Sequence, residues 1–147
     1  MENVMTREEL QSFLPRAFEQ VDKDFHIDAL EGDTITLRLL VDDRHLRPGG
    51  TVSGPAMFAL ADVTAYLLTL AKIGPRALAV TTNCAIDFMR KPVAGADLLA
   101  QGRLLKLGKS LSVADVLVFS EGDTRAVARA SLTYAIPPAG SAADKTF

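Results

Sequence analysis

The 147-residue chain has one cysteine, Cys84, and no tryptophan. A single thiol excludes an internal disulfide and a cysteine-built zinc site. Cys84 lies in an apolar stretch with no histidine near it in sequence, which suits a small buried hydrophobe better than a nucleophile. Histidine is nearly as scarce. His26 and His45 are the only two, and neither has a second ligand at metal-binding spacing. Both are expected as solvated loop or strand residues, and no metal is expected. An excess of positive charge is also missing. Sixteen Lys and Arg against eighteen Asp and Glu leave a net −2, which argues against nucleic acid as a main partner. Neither a phosphate loop nor a dinucleotide fingerprint is present.

The start, "MENVMTREEL", is charged and lacks an apolar stretch, so no secretory signal is expected there. With the lone thiol, this makes a reducing cytoplasm the expected setting. One apolar run, Val52 to Ala71, approaches the length of a membrane span. It contains Pro55 and a central carboxylate, Asp62, which a bilayer would penalise. A buried helix is expected instead, and no membrane.

Almost half of the residues (48%) are apolar and 23% are charged, as in a single soluble domain with one core. Thr6-Arg7-Glu8-Glu9 is a capping-box pattern. It opens a short helix with Leu10, Phe13 and Leu14 on one face, expected to end or restart at Pro15. "FHIDALEGDTITLRLLV" reads as a hairpin turning at Glu31-Gly32-Asp33, with Ile35, Leu37, Leu39 and Val41 alternating against polar residues. The loop "DDRHLRPGG" leads into a long helix from about Gly54 to Lys72, stopped by Gly74-Pro75. Further extended segments follow, broken at Lys91–Gly95, Gly108-Lys109 and Glu121-Gly122-Asp123, and their spacing suits an antiparallel meander. Residues 1–137 form the expected domain, and 138–147 an expected flexible tail.

This order implies an α+β fold: a curved antiparallel sheet with the long helix on one face. The helix is apolar around most of its circumference and must be nearly surrounded. Several strands read as apolar on both faces, with Leu111, Val113, Leu117 and Phe119 opposite Ala114, Val116 and Val118. An outer apolar face calls for cover by another chain, so a homo-oligomer is expected.

Asp62 is the feature that composition does not explain. Pro55 suits the first helical position, which makes Gly54 the expected cap, with its N–H pointing outward. Such an end donates hydrogen bonds to an anion or a developing oxyanion. Gly49-Gly50 lets the incoming loop turn tightly. Asp62 lies eight residues after Gly54, or roughly 12 Å along the axis. That is too far for both to touch one atom, unless the loop of one chain meets the helix of another. A competing reading puts Asp62, Tyr66 and Thr69, at i, i+4 and i+7, on a polar stripe facing solvent.

"SGPAMFALAD" and "VTTNCAIDFMRKPVAGADLLAQGRLLKLGKS", within roughly residues 10 to 137, resemble the hotdog-fold acyl-CoA thioesterases of the phenylacetic-acid-degradation (PaaI-like) type. In that family a His-Gly-Gly step precedes the helix and Leu-x-Asp follows at the spacing found here. The resemblance implies a sheet wrapped around the helix. It also implies a homodimer or dimer of dimers, with the active site at the dimer interface. Asp62 would be general base or nucleophile, and Gly54 N–H would polarise the thioester carbonyl from the opposing subunit. Thr81 would help to position the attacking water. A carboxylate in an apolar interface gains basicity by desolvation. Coenzyme A is then part of the substrate, and no separate cofactor is implied.

Three positions depart from the family pattern. Ser53 replaces the histidine, Pro55 the second glycine, and Arg47 a loop position that is usually polar. Ser53 can hydrogen-bond but cannot act as a base at neutral pH. Arg47 can bind a ligand carboxylate or phosphate, or be a plain loop charge. For the CoA phosphates, Lys109 and Ser110 are the better matches. Arg90 and Lys91 can serve too, or be a solvated strand end. The leading expectation is acyl-CoA hydrolysis. The alternative is a non-catalytic acyl-CoA or acyl-ligand binding protein on the same fold, favoured by the loss of His-Gly-Gly.

Overall fold

The computed structural model describes residues 2–19 and 22–138. Apart from Pro138, the expected tail lies outside them. Helix α1 spans Arg7–Ala17, and a hairpin pairs β1 (Phe25–Glu31) with β2 (Thr34–Leu39). Helix α2 spans Gly54–Ile73 and precedes β3 (Val80–Phe88), β4 (Leu98–Leu107), β5 (Leu111–Ser120) and β6 (Ala126–Ala135). The six strands form one antiparallel sheet in the order β1-β2-β4-β5-β6-β3. The sheet curves around α2 as the hotdog fold requires.

The meander is real for β4 to β6. But β3 does not adjoin β4. It pairs with β6 and forms the far edge, while β4 pairs with β2. Helix α2 separates β2 from β3 in sequence, and the link after Phe88 carries the chain back to the sheet centre. Periodicity within strands carries no information about this exchange of neighbours.

Helix α2 is buried on nearly all sides. Leu60, Leu67, Leu68 and Leu70 are fully enclosed, each stabilising the fold by about 1.5–3 kcal/mol. The sheet approaches closely at Gly102 in β4. A Cβ there would lie 2.6 Å from Thr64 Cγ2 and 2.9 Å from Leu68 Cδ1, so glycine is required for contact rather than for a turn. In β5, Ser112, Ala114, Val116, Val118 and Ser120 face the helix. Leu111 and Leu117 are on the opposite, exposed face.

Helix α1 begins with the anticipated capping box between Thr6 and Glu9. It does not end at Pro15 but continues to Ala17. The missing proline N–H falls in the last turn, where Phe18 N–H still closes on the Leu14 carbonyl at 2.8 Å. The helix also covers the β1 edge. Gln11 Oε1 accepts the Ile27 N–H at 2.7 Å, and Arg7 Nη1 donates to the Ile27 carbonyl at 2.8 Å.

Candidate active site

The loop before α2 is held by a buried histidine. His45 is 7% exposed, which corrects the expectation of a solvated side chain. Its Nδ1 accepts the Asp42 N–H at 2.9 Å, and Nε2 lies 3.3 Å from Asp24 Oδ2. Arg44 pairs with the other oxygen of Asp24. Burial first, and then the Arg44 charge, lowers the His45 pKa and keeps the ring neutral at pH 7. The His45 carbonyl accepts the Ser53 N–H at 2.8 Å, so this node sets where the helix starts. His26 is exposed beside Asp28. Among the described residues no group of His, Cys, Asp or Glu is arranged to hold a metal.

Between the node and the helix, Arg47 opens a tight turn through Gly49 and Gly50, whose φ values of +104° and +84° favour glycine. Arg47 is exposed. Ser53, not Gly54, is the helix cap: its side chain accepts the Ala56 N–H at 3.3 Å. Gly54 is therefore the first helical residue and Pro55 the second. Met57 N–H bonds to the Ser53 carbonyl at 3.1 Å. Pro55 has no N–H to offer, so Gly54 holds the one first-turn amide without a partner among the described residues. The Phe88 ring lies over it, 3.4 Å from where a Cβ would sit.

Asp62 does not belong to a solvent-facing stripe. Tyr66 and Thr69 are each 1% exposed. Tyr66 donates to the Ala77 carbonyl at 3.0 Å, and Thr69 bonds to the Ala65 carbonyl and to Ser112, both at 2.9 Å. Their polarity is consumed inside the core. Asp62 itself is half-buried. Thr81 Oγ1 donates to Asp62 Oδ1 at 2.5 Å, and the Tyr134 hydroxyl reaches the same oxygen at 2.7 Å. No described residue donates to Oδ2.

A β-bulge makes the Thr81 contact. The register of β3 against β6 shifts between Thr81 and Asn83. Thr82 and Asn83 are both exposed, while Thr81 and Cys84 both turn toward the core. Without the extra residue, Thr81 would share the outward face of Asn83 and Ala85. Burial and then the Asp62 charge raise the Cys84 thiol pKa, so it stays protonated. Tyr134 is the contact that sequence reasoning missed. Burial above all, reinforced by Asp62, holds its hydroxyl well above the ordinary tyrosine range, so at neutral pH it is a permanent donor.

The remaining expected ligands divide into two groups. Arg90 and Lys91 follow β3 and are exposed, with Arg90 N–H bonded to the Val127 carbonyl at 3.2 Å at the start of β6. Lys109 and Ser110 are exposed in the β4–β5 turn, where the Ser110 carbonyl accepts the Ile136 N–H at 2.8 Å just past the end of β6. Gly54 lies at the Phe88 end of β3, and Asp62 at the Thr81 end. Those ends are roughly 20 Å apart at about 3.3 Å per residue. One protomer thus keeps the candidate residues in two groups: Gly54 with Arg90 and Lys91, and Asp62 with Thr81, Tyr134, Lys109 and Ser110.

Comparison with known proteins bears on this arrangement. Residues 49–127 match the family model described as the thioesterase superfamily. No functionally curated protein matches the chain. Among solved structures, a candidate thioesterase from Silicibacter sp. TM1040 is 59% identical, with 94% of this chain and 96% of that one covered and a TM-score of 0.89. A variant of the phenylacetic acid degradation protein PaaI from Thermus thermophilus is 26% identical over 81% of this chain and 99% of that one, with a TM-score of 0.68. A Streptococcus mutans protein solved with acetyl-CoA bound is 25% identical over 78% and 89%, with a TM-score of 0.67. The helix-in-sheet architecture thus coincides with a family model covering more than half of the chain, and the protein belongs to the thioesterase superfamily.

Proposed function

We propose that the protein hydrolyses an acyl-CoA thioester to the free acid and CoA, with Asp62 as general base for the attacking water. The observation that carries this is the state of the Asp62 carboxylate. One oxygen is held by two hydroxyl donors, and the other is left to a ligand. In the reaction the water oxygen bonds to the thioester carbon while its proton passes to Asp62. The carbonyl oxygen gains charge against a Gly54 N–H. The C–S bond then breaks, and the proton taken up by Asp62 passes to the CoA sulfur, which restores the carboxylate.

Gly54 and Asp62 of one chain cannot serve the same carbonyl, so the reading includes a homodimer. The β3 edge supports it. Val80, Phe88 and Met89 are about half exposed there. Antiparallel pairing of two β3 strands about a two-fold axis sets the Phe88 end of one copy against the Thr81 end of the other. Each Gly54 half-site then meets an Asp62 half-site. The same operation brings Arg90 and Lys91 of one copy toward Lys109 and Ser110 of its partner, where the CoA phosphates need cations. Arg47 and Ser53 lie beside the Gly54 half-site, Arg47 open to a ligand anion and Ser53 fixing the helix end. The acetyl-CoA bound to the Streptococcus mutans protein favours CoA esters as substrate class. The outer sheet face, with Leu105, Leu111 and Leu117 exposed, is the surface on which two dimers would join. A cytoplasmic setting, without membrane or separate cofactor, completes the proposal.

The test is a thiol-release assay over short, medium and aromatic acyl-CoAs. The wild type should turn over at least one class. Asp62→Asn should lose about 10²–10⁴ in rate while remaining a dimer. Full activity in Asp62→Asn would overturn the assignment. Tight acyl-CoA binding without turnover in the wild type would favour the non-catalytic binding protein, the reading to which Ser53-Gly54-Pro55 lends weight.

A further inference from the structure

We infer that Tyr134 is a positioning residue that, with Thr81, clamps Oδ1 of Asp62 and thereby assigns proton abstraction to Oδ2. This rests on the reading of Asp62 as the base. Each hydroxyl has one proton. The Thr81 proton points to Oδ1 across 2.5 Å, so Thr81 can meet a water only as an acceptor. The Tyr134 hydroxyl is 2.7 Å from Oδ1 and 3.0 Å from the backbone carbonyl of Asp62. Both of these acceptors belong to that one residue, and the Thr81 hydroxyl also lies against that of Tyr134. The two donors come from different strands, β6 and the bulged part of β3, so turning the carboxylate about Cβ–Cγ breaks both bonds at once. Tyr134 is only 3% exposed, and its ring packs 6.0 Å from that of Tyr66, so the donor cannot swing away.

The division of labour suits the chemistry. Two hydroxyl donors give Oδ1 its partners in the charged carboxylate, the form a base has before the reaction. When Oδ2 takes the proton from water, Oδ1 becomes the carbonyl oxygen of the neutral acid and can keep accepting both hydrogen bonds. No hydroxyl has to turn during the step. A water donating one proton to Oδ2 can donate the other to a Thr81 lone pair, which fixes its attack direction.

The other titratable groups facing this point are Cys84 on β3 and Tyr66 on α2. Both are pushed up by burial, Tyr66 to about 12, and both stay neutral below pH 7. Tyr134→Phe keeps the ring against Tyr66 and removes only the donor. With one donor gone the carboxylate can turn, so the loss should fall on kcat rather than on binding. The rate at neutral pH should fall about ten-fold, with KM little changed. Thr81→Val removes the other donor and should lower kcat in the same way, with Thr81→Ser restoring it, which keeps the test open should Tyr134→Phe fold poorly. An unchanged kcat in both variants, with Asp62→Asn inactive, overturns the clamp but leaves Asp62 as base. Full activity in Asp62→Asn overturns the base itself. A lower melting temperature with kcat per folded protein unchanged reduces Tyr134 to a packing residue and equally overturns the inference.

Discussion

The two edges of the sheet are finished in opposite ways. At β1, helix α1 lies alongside and its side chains satisfy the outward backbone. Gln11 accepts from Ile27 N–H and donates to the Phe25 carbonyl at 3.3 Å, while Arg7 donates to the Ile27 carbonyl. At β3 no described element lies outside the strand, and the exposed side chains include Val80 at 56% and Phe88 at 52%. A bare apolar edge invites another strand, whereas side-chain donors and acceptors laid along an edge refuse one. The difference distinguishes a closed end of the sheet from one that can accept another strand. Under the proposed function both half-sites lie along the open edge and none along the closed one, so the joint between copies would also be where the site is completed.

The largest expected effect comes from closing the open edge. Lysines at Val80 and Ala85, both exposed on β3, should prevent edge pairing by like-charge repulsion. Sedimentation should then find monomers, and thiol release should fall by about 10²-fold or more, the loss expected when an oxyanion donor is withdrawn. The melting temperature should move little, because neither side chain is in the core. A fully active monomer would break the link between edge and site. Next in size is the closed edge. Gln11→Ala removes two hydrogen bonds to β1 and should cost about 1–2 kcal/mol of stability by denaturant titration. Activity per folded dimer should be unchanged. An activity loss there would show that the two edges are not separable in function.

The elements themselves were legible, because each follows from local chemistry. Gly32 marks the hairpin, the Thr6–Glu9 box starts α1, and the apolar circumference of α2 requires a surrounding sheet. The pairing of β3 with β6 was not, since strand periodicity gives faces and not neighbours. The helix start was misplaced by one residue because Pro is at home at the first helical position, yet the Ser53 hydroxyl competes better as cap and moves Pro55 to the second. At the site, Asp62 and Gly54 stood out as one carboxylate and one glycine in an apolar helix. Thr81 was reached by family resemblance alone, because its inward turn depends on a bulge that strand alternation would deny. Tyr134 gave no local signal: it is 72 residues from Asp62 and reads as one more alternating strand residue. His45 was expected in solvent because nothing in its neighbourhood announces Asp24, which the fold supplies from before β1.

The smallest effect separates the two groups that close β1. Arg7 is about one-third exposed and pairs with Glu8 only at the surface, an interaction worth little. Its contribution is the hydrogen bond to the Ile27 carbonyl, a group that water can hydrate at an edge. Arg7→Ala should therefore cost about 0.5–1 kcal/mol, less than Gln11→Ala. Arg7 and Gln11 act on the carbonyl and the N–H of the same residue, so their losses should be non-additive by about 0.5 kcal/mol in a double-mutant cycle. Assembly is the sharper readout. With both side chains removed, Ile27 offers an unpaired donor and an unpaired acceptor, and β1 comes to resemble β3. A dimer joined at β3 would then have an open edge at each outer end, and the double variant should form larger species whose size rises with concentration. Light scattering would detect them. A double variant that remains dimeric at every concentration would mean that the body of α1, and not its two polar side chains, keeps the β1 edge closed.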